Sequence, residues 1–71
     1  MSLPSVSGRA VVKALARAGF VQVSQKGSHA KVRHPDGRIA IVPMHREVAQ
    51  GTLRSILRQA GLTADELAAL L

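Results

Sequence analysis

The sequence contains no cysteine, tryptophan or tyrosine, and Phe20 is its one aromatic residue. Without cysteine there can be no disulfide and no thiolate metal site, a composition that fits a reducing compartment. With a single aromatic the chain cannot build the stacked platform on which single-strand binders hold bases. Acidic residues are also scarce, with four Asp and Glu against ten Lys and Arg and a formal charge of +6. No apolar run approaches the roughly 20 residues needed to span a bilayer. The opening Met1-Ser2-Leu3-Pro4 lacks the apolar stretch behind a basic start that marks a secretion signal. A soluble, cytoplasmic protein without membrane association is therefore expected. At 71 residues, one domain over 1–71 with a thin core is the expected organisation.

So large a positive field on so small a body draws polyanions and favours nucleic acid over neutral ligands. If RNA is the partner, contacts should go to phosphates, 2′-hydroxyls and helical shape rather than to stacked bases.

The patterning divides the chain into six elements. Ser7 can cap a first helix over residues 7–18, in which Val12, Leu15 and Ala16 share one face, with Val11 and Ala18 at its edge. Gly19 reads as its stop. Arg9, Lys13 and Arg17, four apart, form a basic ridge beside that face. Residues 20–25 alternate as a strand, 26–28 turn, and 29–33 alternate again, with His29, Lys31 and Arg33 on one side and Ala30 and Val32 on the other. A turn at 34–37 leads to a third strand at 38–42, ended by Pro43. A second helix opens at Gln50-Gly51-Thr52 and runs to Gly61, with Leu53, Ile56, Leu57 and Ala60 as its apolar face. Thr63 and Glu66 have the spacing of a capping box before a short last helix with Leu67, Leu70 and Leu71. The expected fold is α+β, a three-stranded antiparallel sheet with the two main helices on one face. By alternation Val21, Val23, Ala30, Val32, Ile39 and Ile41 should meet the helices, leaving His29, Lys31 and Arg33 on the wetter face.

Few side chains can carry chemistry. Asp36, Glu47, Asp65 and Glu66 are scattered, so no carboxylate pair is expected, and no metal-ligand spacing or glycine-rich phosphate loop is present. Three histidines remain. His34, before Pro35, reads as an exposed turn residue. His45 reads as a solvated loop residue that could meet a phosphate. His29 directly follows Gly27-Ser28, with Lys26 three residues before it and Lys31 and Arg33 on its strand face. Imidazole exchanges protons near pH ~6.5, and RNA supplies its own nucleophile in the 2′-hydroxyl. A proton acceptor among cations is enough to promote internal cleavage. By the residues alone, an enzyme, an RNA-binding module without catalysis, and an adaptor for an acidic protein all stay open.

Four segments in order add to this: Gly19-Phe20; Gly27-Ser28-His29; Val42-Pro43-Met44-His45; and residues 51–61, Gly-Thr-Leu-Arg-Ser-Ile-Leu-Arg-Gln-Ala-Gly. Together, from about Ser7 to Gly61, they resemble the HicA (YcfA-like) mRNA interferase toxins. The resemblance implies a double-stranded RNA-binding-like fold and cleavage of mRNA without a metal or other cofactor, which halts translation. It implies a HicB-type antitoxin as partner. It puts the family's catalytic histidine on His29. Lys26, Ser28, Lys31, Arg33, His45, Arg9, Lys13 and Arg17 are the candidate RNA-binding residues around it.

Overall fold

The computed structural model describes residues 3–71, so the first two residues of the expected 1–71 domain lie outside it. Helix α1 spans Gly8–Arg17. Strands β1 (Val21–Lys26), β2 (His29–Arg33) and β3 (Ile39–Pro43) follow, and α2 (Gln50–Ala60) and α3 (Ala64–Leu70) complete the chain. The strands pair antiparallel in the order β1-β2-β3. This is the α+β architecture expected from the patterning. No helix among the described residues is long and apolar enough to cross a membrane.

The helix ends obey local chemistry. Ser7 Oγ accepts the Ala10 N–H at 3.1 Å at the start of α1. Thr63 and Glu66 form the reciprocal capping box of α3, with bonds of 3.1 and 2.9 Å. The core lies between the sheet and the helices, where Val11, Ala14 and Leu15 of α1 meet Leu53, Ile56 and Ala60 of α2 and Leu67 of α3. The α2 face is the expected one. The α1 face is rotated: Val11 and Ala14 are buried and Ala16 is exposed. Gly51 lies exposed in the first turn of α2, where an added Cβ would meet nothing within 4 Å. Gly51→Ala should therefore stabilise the fold by about 0.5 kcal/mol through backbone entropy, a rise of a few degrees in a thermal melt.

The sheet corrects one expectation. Ala30 and Val32 face the helices as read, but their partners on β3 are Val42 and Ala40. Ile41 stands opposite Lys31 and Ile39 opposite Arg33, so both isoleucines lie on the open face at 39% exposure. Every position from Ile39 to Val42 is apolar, so alternation carried no information there about which side is inward. The hairpin set the register: His34 N–H donates to the Arg38 carbonyl at 2.8 Å and Gly37 N–H to His34 at 2.9 Å. Val21 pairs with Arg33 on the same open face, and Val21 and Val23 are 61% and 52% exposed. β1 is an edge strand with an irregularity between Gln22 and Ser24, and neither valine reaches the core.

The other edge is closed by the helix layer. Ile41 N–H donates to Gln59 Oε1 of α2 at 2.9 Å.

His34 is likewise not the exposed turn residue expected. Its side chain is 22% exposed and its ring meets Phe20 edge-on, with centroids 5.2 Å apart. Asp36 N–H donates to His34 Nδ1 at 3.1 Å. The Arg38 guanidinium lies over the Phe20 ring, 5.2 Å from its centroid, holds Asp36 through Nε at 2.9 and 3.1 Å, and donates Nη1 to the Ala60 carbonyl. One guanidinium thus joins the β2–β3 turn, the lone aromatic and the carbonyl end of α2, where a cation is favoured.

The Arg38 guanidinium, and after it the Arg38 backbone N–H, holds the Asp36 carboxyl down at about 2, from an ordinary 3.8. Because the folded state lowers this pKa, the stabilisation is complete above the ordinary value and is lost as pH falls from there through about 2. A carboxyl NMR titration should place the Asp36 midpoint near about 2. In Arg38→Gln it should return toward 3.8.

Candidate functional site

The end of the sheet where β1 turns into β2 gathers most of the sequence candidates. Lys26 and His29 face each other across a two-residue turn of Gly27 and Ser28. Gly27 holds a φ of +56°, which a two-residue hairpin needs at its first central position and which a side chain would strain. The turn therefore delivers His29 as the first residue of β2, and it is exposed. Directly opposed cross-strand residues have Cβ atoms about 5 Å apart, which sets Lys26 beside the imidazole. Lys31 and Arg33 follow on the same face at the two-residue period. Ser28 accepts the Met44 N–H through its carbonyl, and Pro43 pairs with His29. The hairpin tip is thereby fixed to the segment after β3.

That segment carries His45, whose carbonyl accepts the Gly8 N–H at 2.9 Å. Three residues later, Val48 N–H donates to the Val6 carbonyl at 2.8 Å. The approach of α1 is close: a Cβ on Gly8 would lie 2.1 Å from the Pro43 carbonyl oxygen. His45 lines a cleft of about 440 Å3 together with Ser7, Arg9, Gln25, Met44 and Arg46. His29 is not among its walls. Gln25 pairs with Ala30, whose side chain faces the helices, whereas Lys26 pairs with His29 on the open face. The two histidines thus stand at the same end of the sheet, toward opposite sides of it.

The ridge on α1 divides. Arg9 and Lys13 are exposed and carry no side-chain hydrogen bond or ion pair among the described residues. Arg17 donates to the Leu70 carbonyl and so anchors the end of α3. Arg46 joins this cleft although its one sequence signal is its place beside His45. Among the described residues no three His, Cys, Asp or Glu side chains gather to hold a metal ion.

On the open face, Val21, Val23, Ile39 and Ile41 interleave with Lys31 and Arg33. A smaller hollow of about 290 Å3 lies there, lined by Val21, Val23, Arg33, His34 and Pro35. This surface is apolar and cationic at once, unlike the His45 cleft.

No curated protein matches the chain. A family model described as the HicA toxin of bacterial toxin–antitoxin systems matches residues 8–62. The matched stretch begins at the first residue of α1, ends just past α2, and contains the hairpin with His29, the His45 loop and every wall of the His45 cleft except Ser7. The chain belongs to the HicA toxin family of bacterial toxin–antitoxin systems.

Proposed function

We propose that this toxin is an endoribonuclease that cleaves mRNA without a metal ion and so blocks translation, with His29 as its catalytic residue. The observation that carries the reading is the position of His29 at the exit of a tight hairpin, open to solvent, opposite Lys26 and in line with Lys31 and Arg33. His29 takes the proton of the 2′-hydroxyl. The freed 2′-oxygen bonds to the adjacent phosphorus, and the bond from phosphorus to the 5′-oxygen breaks. The leaving oxygen takes a proton from the imidazolium just formed or from water. The products are a 2′,3′-cyclic phosphate and a 5′-hydroxyl end. Lys26 and Lys31 stabilise the charge that builds on the phosphate, and Ser28, Arg33 and Lys13 add contacts along the backbone.

The antitoxin is of the HicB type and acts by binding the toxin. A protein partner finds both apolar and cationic contacts on the open face, through Val21, Val23, Ile39 and Ile41 beside Lys31 and Arg33. The rival reading, an RNA-binding module without catalysis, is separated by comparing wild type and His29→Ala. An enzyme loses cleavage and keeps RNA binding, whereas a binder has no cleavage to lose. Induced expression with growth and RNA integrity followed makes that comparison directly.

A further inference from the structure

The cleft between α1 and the β3–α2 loop has a charge pattern that His29 does not account for. Its walls include Arg9, His45 and Arg46, with Ser7 and Gln25 as neutral polar groups. No carboxylate lines it, although Glu47 follows Arg46 in the chain. Glu47 accepts from Ser5 Oγ at 2.6 Å instead. Asp36 is committed to Arg38, and Asp65 and Glu66 belong to the first turn of α3. Neither Arg9 nor Arg46 has an ion-pair or side-chain hydrogen-bond partner among the described residues.

The backbone around these side chains is already ordered. At the start of α1 the Gly8 N–H goes to His45, the Ala10 N–H to Ser7 and the Val11 N–H to the Ser7 carbonyl. The partial positive charge of that ten-residue helix end adds to two guanidinium groups and an imidazole. Guanidinium groups grip phosphate oxygens by paired N–H bonds, which a point charge cannot do.

We propose that this cleft is a second phosphate site, which holds a backbone phosphodiester of the RNA a few nucleotides from the one cleaved at His29. The inference rests on the ribonuclease reading for the identity of the ligand. Gln25 on the cleft side and Lys26 on the His29 side are consecutive residues of β1, so an RNA strand passes from one site to the other over the β1–β2 end of the sheet. Arg46 and Arg9 hold the distal phosphate, and His45 serves there rather than at the cleaved bond.

The test uses the full chain and two RNAs: an octanucleotide and a dinucleotide with a single phosphodiester. Arg46→Gln and Arg9→Gln should each lower kcat/KM on the octanucleotide by about 10-fold, mainly through KM. Cleavage of the dinucleotide should be unchanged, because it is too short to fill the second site. With an uncleavable 2′-O-methyl octanucleotide, each variant should flatten the slope of log affinity against log salt by about 0.7, the share of one phosphate in single-stranded RNA. Arg54→Gln, an exposed cation on α2 away from the cleft, controls for net charge and should change neither quantity. Arg46 is exposed, so unaltered thermal melts are expected for its variant.

If both cleft variants match wild type on the octanucleotide, the site is overturned while the ribonuclease reading stands. The same holds if they weaken only antitoxin binding, or if Arg54→Gln weakens RNA binding equally. If wild type cleaves neither RNA but its affinity depends on Arg46 with the stated slope change, the ribonuclease reading falls and the phosphate site stands.

Discussion

His29→Ala is expected to lower the rate of RNA cleavage by about 10²- to 10⁴-fold, the range over which one positioned acid–base group contributes. The fold should not change with it. His29 is exposed at the start of β2, and its side chain makes no hydrogen bond among the described residues. Surface changes of this kind stay within about 0.5 kcal/mol. RNA affinity should persist, since Lys26, Lys31 and Arg33 remain on the same face. Gel analysis of cleavage products, beside a binding isotherm with the same RNA, measures both quantities. Cleavage at the wild-type rate would remove His29 from the chemistry. A parallel fall in binding and cleavage would make it a contact residue instead.

The largest effect on stability is expected from Gly8→Ala. Alanine normally strengthens a helix, so propensity alone predicts a gain. Contact predicts the reverse, because the new Cβ would meet the Pro43 carbonyl oxygen at 2.1 Å and the Met44 Cα at 2.8 Å. Both obstacles are backbone and cannot swing aside. α1 or the β3–α2 loop must shift, at a cost of about 3 kcal/mol, the upper part of the usual overpacking range. In a domain of this size that lowers the melting temperature by roughly 12 °C or more. The shift also loosens the Gly8–His45 bond, so any function of the His45 cleft should fall with it. Gly51→Ala makes the same chemical change where space is open. Opposite signs for the two variants in one set of melts would show that close approach, and not helix propensity, decides at Gly8.

Much of this arrangement was legible in the sequence where patterns were unambiguous. The capping serine of α1, the capping box at Thr63 and the apolar face of α2 follow from local chemistry, and all three form as read. So does the alternation of β2, which combines charged and small apolar residues. β3 offered no such contrast. Its inward side was fixed by a non-local register, which pairs Ala40 with Val32 and leaves the larger Ile39 and Ile41 outside. His34 departs from expectation for a related reason: its partial burial depends on Phe20, distant in the chain, and nothing near Pro35 announces that. The basic trio on α1 looked uniform by spacing, yet Arg17 faces the end of α3, a contact 53 residues away in the chain. Arg46 was not legible in the sequence, because a loop has no period that would set one cation apart from another.

The bond from Ile41 to Gln59 bears on how this molecule behaves at high concentration. An exposed sheet edge is a template for pairing with another chain, and aggregation often begins there. Along the outer side of β3 the Ile41 N–H is already given to α2, and Pro43 two residues on has no N–H to offer. A foreign strand finds little to hold on that side. Along β1 the irregularity between Gln22 and Ser24 breaks the even ladder that continuous pairing requires. Neither margin of the sheet therefore offers a second copy an even ladder to extend, so self-association by strand addition is disfavoured at both edges.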